Sequence, residues 1–225
     1  MNHDVLRQAP LFSALDDEAA TALLGSLTES TLSRGEVLFH EGAEGDKLYV
    51  VLDGKVKLGR TSSDGRENLL AVLGPGQMFG ELSLFDPGPR SATVTAVTDS
   101  RFASLSHEDL LRWLEGRPMV ARGLLSQLAA RLRKANDVVA DLVFSDVPGR
   151  VAKALLDLAD RFGRTADDGV HVHHDLTQEE LAQLVGASRE TVNKALADFA
   201  SRGWLRLEPR SVVIMDIERL GRRSR

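Results

Sequence analysis

The sequence contains no cysteine among its 225 residues. This absence excludes disulfide bonds, thiolate nucleophiles, cysteine-ligated zinc and cysteine-ligated iron–sulfur clusters. No run of residues approaches the roughly 18 consecutive apolar positions of a membrane span. Residues 1–15 also lack the charged and then apolar layout of a signal peptide. We therefore expect a cytoplasmic protein that has no membrane partner and no iron–sulfur cluster.

The composition is otherwise that of an ordinary globular protein, with 43% hydrophobic and 27% charged residues. The net charge of −5 is unevenly distributed. Residues 1–145 carry 15 basic and 20 acidic side chains, and residues 146–225 carry 13 of each. From residue 189 onward, 9 basic side chains accompany 5 acidic ones. This local excess indicates an anionic partner near the C-terminus, although a solvated basic tail would have the same composition.

The sequence before residue 117 has the pattern of an all-β domain. Short β-type runs alternate with glycine turns at intervals of roughly ten residues, and no long helix intervenes, which indicates an antiparallel barrel or roll. The runs are residues 37–39, 48–52, 55–60, 69–73, 92–96 and 101–105. Helices are predicted at residues 16–27 and 106–115. We expect an α+β protein whose first domain, residues 1–116, is a β-roll with flanking helices.

A long helix is predicted from residue 118 to residue 144. Its apolar positions are separated alternately by four and three residues, and they are Ala121, Leu125, Leu128, Leu132, Ala135, Val139 and Leu142. This spacing is typical of a coiled-coil seam, although an amphipathic helix packed on its own domain remains an alternative. We assign residues 117–145 to a dimerisation helix and hinge. The predicted homodimer interface consists of Leu125, Leu128, Leu132, Val139 and Leu142, and Arg131 is expected off this seam in solvent.

Residues 146–149, with the sequence Asp-Val-Pro-Gly, predict a break after the long helix, because the position before a proline disfavours helix. Residues 164–169 are predicted as a turn and residues 170–174 as a short strand. Histidines are common metal ligands, and three of them follow closely at His171, His173 and His174. On a strand, however, the first two point to one face and the third to the other. We therefore expect surface positions and no metal site.

Residues 175–197 have the pattern of two short helices joined by a glycine-centred turn. Thr177 followed by Glu180 is a capping box that begins the first helix, and Gly186 ends it. Ser188 is placed to cap the second helix. The small Ala182 lets two helices cross closely. These features predict a helix-turn-helix.

The outward face of the second helix carries side chains that suit base recognition. Arginine can bind guanine through two hydrogen bonds, glutamate can accept one from cytosine, and lysine can reach guanine or phosphate. The predicted DNA-binding residues are Ser188, Arg189, Glu190, Asn193 and Lys194. A plain exposed polar face is the alternative. Double-stranded DNA is the expected partner.

Two further runs, residues 204–207 and 212–215, flank a turn that contains a proline. They predict a small hairpin, the wing of a winged helix-turn-helix. Arg206 and Arg210 could then touch phosphate, although a plain structural hairpin fits equally. We assign residues 146–225 to the DNA-binding domain.

Residues 80–92 contain a glycine, a glutamate, a short apolar turn, a Pro-Gly-Pro loop and an arginine. A helix start offers free backbone N–H groups to an anion, and an arginine can bind phosphate with two hydrogen bonds. This spacing predicts a phosphate cradle, although a tight turn with a surface ion pair would share it. Only Glu81 and Asp86 supply carboxylates nearby, His107 lies well downstream, and no nucleophile motif is present. We expect no catalytic residues and no enzyme.

Three motifs together resemble the cyclic AMP receptor branch of the CRP/FNR transcription regulators. They are residues 79–85 with 89–92, residues 144–150 and residues 186–192. The similarity covers nearly the whole chain and, within that branch, resembles the actinobacterial cAMP receptor proteins of the GlxR type. It implies a jelly-roll-like cyclic-nucleotide-binding β-roll, a dimerisation helix and a C-terminal winged helix-turn-helix. The implied function is that of a homodimeric DNA-binding regulator gated by cAMP.

The resemblance also implies roles for individual residues of the cradle. Glu81 would hold the ribose hydroxyl of cAMP, while Arg90 and Ser91 would hold its cyclic phosphate. Gly80, Leu82 and Ser83 would supply backbone or close-approach contacts.

The family's adenine-contacting positions on the long helix read Ala135 and Asn136 here, so one hydroxyl is missing. Losing one hydrogen bond costs about 0.5–1.5 kcal/mol, and Asn136 still offers a donor and an acceptor. The resemblance therefore implies cAMP as effector, with cGMP, cyclic di-GMP or ligand-independent DNA binding as alternatives. It further implies a near-palindromic TGTGA-like site, read through Arg189, Glu190 and Lys194, and RNA polymerase as a partner.

Overall fold

The computed structural model describes residues 3–9, 15, 23–82, 88–115 and 118–224. The chain forms two compact units. The first comprises residues 1–60 and 71–134, and the second comprises residues 61–70 and 135–225. Strands dominate the first unit, and the second contains a helix-turn-helix beside a small sheet. The predicted α+β class is confirmed.

Two four-stranded sheets form the β-rich part of the chain. Their strands are β1 (Thr28–Leu32), β2 (Val37–Phe39), β3 (Lys47–Asp53), β4 (Val56–Thr61), β5 (Glu67–Leu73), β6 (Met78–Phe79), β7 (Thr93–Ala96) and β8 (Ser100–Ser106). One sheet has the order β1-β8-β3-β6 and the other has the order β2-β7-β4-β5. The six predicted runs are confirmed within one or two residues. Strands β1 and β6 were missed, because β1 is mostly polar and β6 has only two residues.

The core of the first unit lies on both central strands, β3 and β8. They pair antiparallel, with Val50 opposite Ala103 and Val51 opposite Phe102. Leu48, Val50 and Leu105 form one buried cluster, while Val51, Phe79 and Phe102 form another. Because side chains alternate between strand faces, one strand supplies both clusters.

In the described part of the chain, these sheets are accompanied by helices α1 (His3–Gln8), α2 (His107–Leu114) and α3 (Pro118–Phe144). Ser106 caps α2, since its hydroxyl accepts a hydrogen bond from the backbone N–H of Asp109 at 3.1 Å. Helix α1 was not predicted, and residues 16–22 of the helix predicted at 16–27 lie outside the described residues. No helix in the described part of the chain is long and apolar enough to cross a membrane.

The apolar stripe of α3 is largely exposed in a single chain. Leu125, Leu132 and Val139 expose 66%, 64% and 61% of their surface, and Leu142 is also exposed. Leu128 is half-buried. The helix spans residues 118–144 as predicted. The assignment of this stripe to a dimer interface stays a prediction.

The second unit contains helices α4 (Val147–Phe162), α5 (Gln178–Val185), α6 (Arg189–Ser201) and α7 (Ile217–Arg223). Its sheet has the order β11-β12-β10-β9, formed by β9 (Gly163–Ala166), β10 (Gly169–Val172), β11 (Leu205–Glu208) and β12 (Ser211–Ile214). The predicted break after the long helix is confirmed, because α3 ends at Phe144 and Asp146 caps α4. The wing hairpin is also confirmed, as β11 and β12 pair antiparallel.

Three local predictions in this unit were wrong or incomplete. Residues 164–169 are not a plain turn, because β9 pairs with β10 despite its polar sequence. Strand β10 ends at Val172, so His173 and His174 lie beyond it. His174 is buried rather than exposed, and its Nδ1 accepts a hydrogen bond from the N–H of Leu176 at 3.1 Å. Helix α7 was not predicted.

Candidate functional site

Glu81 is a buried carboxylate at the end of β6. Only 1% of the residue is exposed, and its Oε1 accepts a hydrogen bond from Arg131 of α3. Arg131 also donates to the carbonyl oxygen of Met78. Oε2 of Glu81 is buried and has no hydrogen-bond partner among the described residues. Arg131 was expected in solvent, but its side chain turns toward this carboxylate because a buried charge requires a counter-charge.

Arg90 is the second buried charge of this site, with 4% of its surface exposed. Its Nη1 donates to the carbonyl oxygen of Gly80 at 2.8 Å, and its Nη2 donates to that of Lys47 at 2.9 Å. Nε is buried without a partner in the described part of the chain. Burial lowers the pKa of the guanidinium below its usual range, and neighbouring acidic groups oppose this shift.

Gly80 precedes Glu81 in the chain, and its carbonyl oxygen accepts a hydrogen bond from Arg90. Position 80 requires a glycine for two reasons. Its φ is +80°, a left-handed conformation that other residues rarely adopt. A Cβ at this position would also lie 2.8 Å from Nη1 of Arg90 and 3.0 Å from the carbonyl oxygen of Lys47. A side chain here would therefore displace the arginine.

The geometry offers two complementary binding groups. Glu81 presents a free carboxylate oxygen, which accepts a hydrogen bond, and Arg90 presents a free N–H, which donates one. Buried polar atoms are normally satisfied, so each of these two atoms indicates a missing partner. A hydroxyl group suits the first and an anionic oxygen suits the second.

The remaining predicted ligand residues are less completely placed. Leu82 and Ser91 are exposed, and Ser83 lies outside the described residues. Ala135 and Asn136 are exposed on α3, in the part that belongs to the second unit. The ligand roles of all five residues stay predictions.

The helix-turn-helix forms as its sequence predicts. Thr177 and Glu180 make both hydrogen bonds of a capping box at the start of α5. Gly186 ends that helix in the left-handed conformation, with φ 69° and ψ 45°. The hydroxyl of Ser188 accepts a hydrogen bond from the N–H of Thr191 at 3.2 Å and thereby caps α6. Ala182 is buried where a small residue was expected.

The predicted base-reading residues lie at the start of α6. Arg189, Glu190 and Lys194 are exposed, and the last two form an ion pair at 2.7 Å between Nζ and Oε1. Asn193 is half-buried, and its Oδ1 has no hydrogen-bond partner among the described residues. Ser188 is the N-terminal cap of α6, so its predicted DNA contact would come from the position just before the first residue of the helix.

The wing holds Arg206 between two carboxylates. Its Nη2 lies 2.7 Å from Oδ2 of Asp168, and its Nε lies 3.3 Å from Oε1 of Glu208. Hydrogen bonds from His171 and then from Arg206 lower the pKa of Asp168 to about 2. The charge of Arg206 is therefore compensated locally, which makes Arg210 at the tip of the hairpin the better candidate for a phosphate contact.

Comparison with known proteins accounts for both parts of the chain. Residues 29–117 match the cyclic nucleotide-binding domain, and residues 149–223 match the Crp-like helix-turn-helix domain. Over 222 residues, 99% of both chains, the sequence is 54% identical to the CRP-like cAMP-activated global transcriptional regulator of Mycobacterium tuberculosis. Over 211 residues, 94% of both chains, it is 38% identical to the cyclic AMP receptor protein of Thermus thermophilus. The chain belongs to the CRP family of transcription regulators.

A solved structure of a global regulator is also similar. The c-di-GMP responsive global regulator CLP of Xanthomonas campestris superposes with a TM-score of 0.76 at 26% identity, over 88% of this chain and 99% of its own. The predictions of family, of fold class and of a DNA-binding regulator with a cyclic nucleotide-binding domain are confirmed.

Sequence reasoning missed two arginines that organise this CRP family chain. Arg131 reaches Glu81, as described above. Within the second unit, Arg150 donates from Nη1 to the carbonyl oxygen of Ser145 at 2.8 Å and from Nε to that of Val185 at 3.1 Å. It thus ties the hinge to the turn of the helix-turn-helix. No local sequence pattern distinguishes either arginine from the exposed arginines around it. Arg131 binds a residue 50 positions away, and Arg150 binds one residue across the bend and another 35 positions away.

Proposed function

We propose that this CRP family regulator is a homodimer that binds cAMP and, in response, near-palindromic DNA with TGTGA-like half-sites. The buried pair of Glu81 and Arg90 carries this proposal, because each residue keeps one unpartnered polar atom. A cyclic nucleotide supplies both missing groups, a ribose hydroxyl and an anionic phosphate. The names of the relatives in Mycobacterium and Thermus support cAMP among the cyclic nucleotides.

In the proposed complex, Glu81 accepts a hydrogen bond from the ribose hydroxyl, and Arg90 binds the cyclic phosphate together with the hydroxyl of Ser91. Backbone or close-approach contacts to the ligand are proposed to come from Gly80, Leu82 and Ser83. Arg131 already touches the carboxylate that receives the ribose.

The base of the nucleotide is proposed to lie toward α3, where Asn136 offers a donor and an acceptor and Ala135 offers neither. Gating requires that cAMP bind two conformations of the regulator unequally, since a ligand with equal affinity for both shifts nothing.

DNA recognition is proposed to run through α6. Arg189 reads guanine, Glu190 accepts from cytosine, and Lys194 contacts guanine or phosphate, with Asn193 and Ser188 beside them. The Glu190–Lys194 ion pair is exposed, so its two charges can exchange partners at little cost. A dimer with two such helices would read half-sites about 34–36 Å apart. RNA polymerase is the proposed protein partner.

Isothermal titration calorimetry of the full chain with cAMP and cGMP tests the ligand. We expect saturable binding of cAMP and a loss of at least about tenfold in affinity for Arg90→Lys, because lysine cannot donate to both carbonyl oxygens and at the same time present the planar Nε–H to the phosphate. Arg101→Lys is the matched control, since Arg101 is an exposed arginine on β8. Absence of binding by either nucleotide, or unchanged affinity in Arg90→Lys, would contradict the proposal.

A second ligand is cyclic di-GMP, which the similarity to CLP favours. The alanine at position 135 also leaves the adenine side without the hydroxyl of the cAMP receptors. Titration with cyclic di-GMP under the same conditions separates the two ligands. DNA affinity that is equal with and without every nucleotide would instead support a ligand-independent regulator.

The DNA assignment is tested by Arg189→Ala in a binding assay with a TGTGA palindrome and with random DNA. We expect the binding free energy for the palindrome to weaken by about 1–3 kcal/mol, while the affinity for random DNA changes little. Arg202→Ala is the matched control, because Arg202 follows the other end of α6 and pairs with Asp198. An equal loss on both DNAs would refute base reading by Arg189.

A further inference from the structure

The guanidinium of Arg90 lies on the face of an aromatic ring. Its central carbon is 4.3 Å from the ring centroid of Phe39 on β2 and 5.8 Å from that of Tyr49 on β3. Both distances are within the range of cation–π attraction, and the shorter one belongs to Phe39. Neither aromatic residue was among the predicted site residues.

The ring of Phe39 is itself held in place by neighbouring rings. Its centroid lies 5.8 Å from that of Tyr49 and 6.2 Å from that of Phe79. Tyr49 and Phe79 stack with centroids 5.3 Å apart and an interplanar angle of 13°. The arginine therefore rests on a packed surface rather than on a side chain that can rotate freely.

The ring face adds to the support that Arg90 receives from more distant acidic groups, Asp46 and Glu81 among them, because none of these groups pairs with it directly. In the described part of the chain, its hydrogen bonds go to the carbonyl oxygens of Gly80 and Lys47, and it forms no salt bridge. A carbonyl dipole neutralises a buried charge only partly. Cation–π attraction grows when the cation is desolvated, and Arg90 is almost fully buried.

We propose that Phe39 is a positioning residue for ligand binding: its ring face fixes the plane of the Arg90 guanidinium. In this plane Nη1 and Nη2 donate to the two carbonyl oxygens, and Nε remains free for an anionic oxygen. The inference rests on the proposed binding of a cyclic phosphate at Arg90. Without the ring, the guanidinium can rotate, and the ligand must bear the cost of ordering it.

The test compares Phe39→Leu with Phe102→Leu. Phe102 belongs to the same aromatic cluster, packing edge-on against Phe79 at 6.0 Å, but it makes no cation–π contact with Arg90 among the described residues. Phe39 is half-buried on the edge strand of its sheet, so its replacement disturbs the core less than that of the fully buried Phe102. Phe39→Tyr is the conservative control, because it keeps an aromatic face beside Arg90. Phe39→Met replaces Phe39→Leu in the comparison if the leucine variant does not fold.

Two measurements are made on each full-length variant. The first is the affinity for cAMP by calorimetry, for which we expect a loss of about tenfold in Phe39→Leu and near wild-type values in Phe39→Tyr and Phe102→Leu. The second is the Nε–Hε resonance of Arg90 in the ligand-free protein labelled with ¹⁵N-arginine, assigned by its disappearance in Arg90→Lys. The ring current of Phe39 should displace this resonance in the wild type, in Phe39→Tyr and in Phe102→Leu, but not in Phe39→Leu.

The outcomes separate this inference from the proposed function. Wild-type affinity in Phe39→Leu, or an equal loss in Phe102→Leu, overturns the positioning role while leaving cAMP binding intact. If the wild type binds no cyclic nucleotide, the proposed function fails, and the resonance then decides on positioning alone: an unchanged shift in Phe39→Leu overturns it.

Discussion

At the scale of single residues, the ligand site depends on a glycine as much as on its charges. Gly80 has a positive φ, and it leaves the space in which the guanidinium of Arg90 reaches two carbonyl oxygens. The positive φ and the close approach of other atoms are separate requirements, because other glycines have a positive φ without a close neighbour. Gly65 has a φ of +80° as well, yet a Cβ there would meet no described atom within 4 Å.

We therefore predict different outcomes for Gly80→Ala and Gly65→Ala. Gly65→Ala should lose about 1–2 kcal/mol of unfolding free energy in urea denaturation, because alanine is strained in the left-handed region. Gly80→Ala should lose more, because its Cβ also clashes with Arg90 and with the carbonyl oxygen of Lys47. Only Gly80→Ala should also weaken cyclic nucleotide binding, since its methyl group displaces Arg90. Equal nucleotide affinity in the two variants would show that the close approach at Gly80 has no role in binding.

At the scale of secondary-structure elements, the hinge between α3 and α4 is held by contacts from both directions. The carboxylate of Asp146 accepts from the N–H of Gly149 at 2.9 Å and pairs with Nη2 of Arg223 on α7 at 2.5 Å. Arg150 binds the carbonyl oxygens of Ser145 and Val185 from the first turn of α4. Helix α7 was not predicted, so the sequence offered no partner for Asp146.

The Asp146 contacts predict a pH-dependent contribution to stability. The hydrogen bond with Arg223, and then that with Gly149, lowers the pKa of Asp146. A carboxyl group whose pKa is lower in the folded state stabilises the fold above its unfolded pKa of about 3.9, and this stabilisation is lost as pH falls through the folded pKa. Asp146→Asn keeps a capping oxygen but loses the charge, so it should be less stable than the wild type at pH 7 and equally stable at low pH.

Urea denaturation of both proteins at pH 7 and at about pH 2 provides the measurement. Arg223→Ala should reproduce the effect of Asp146→Asn. Arg222→Ala, on the same helix but paired with Glu218, should not. A stability difference between wild type and Asp146→Asn that persists undiminished at low pH would rule out the charge pair as its cause.

At the scale of the whole molecule, the exposed stripe on α3 is the feature that a single chain leaves unexplained. Leu125, Leu132 and Val139 are apolar, follow the heptad spacing and are mostly exposed. Val143 and Phe144 extend the exposed apolar surface to the end of the helix. Burial against a second copy would remove this surface from water, which is the main driving force for such assembly.

We predict that Leu132→Glu converts the proposed dimer to a monomer, because a heptad seam cannot bury an unpaired carboxylate. Ala130→Glu is the matched control, since Ala130 is exposed two residues away and lies on the opposite side of the heptad. Sedimentation velocity of both variants at micromolar concentration supplies the measurement. A monomeric wild type, or a Leu132→Glu variant that sediments as the wild type does, would remove the basis of the dimer proposal.

By itself, the sequence determined the features that depend on residues a few positions apart. The capping box of Thr177 and Glu180, the left-handed Gly186 and the 4–3 spacing along α3 are of this kind, because their hydrogen bonds and faces repeat within one or two helical turns. Strands made of apolar runs between turn residues were predicted, whereas the polar β1 and β9 were missed because only their pairing with β8 and β10 makes them strands.

The tertiary structure alone decided which distant groups meet. Among many arginines, packing selects Arg131 for Glu81, 50 residues away, and Arg223 for Asp146, 77 residues away. It also lays Arg90 on the ring of Phe39. For the buried Glu81 and Arg90, these choices follow from the requirement that a charge removed from water find a counter-charge or a polarisable surface within a few ångströms. That distance is set by the fold and not by position along the chain.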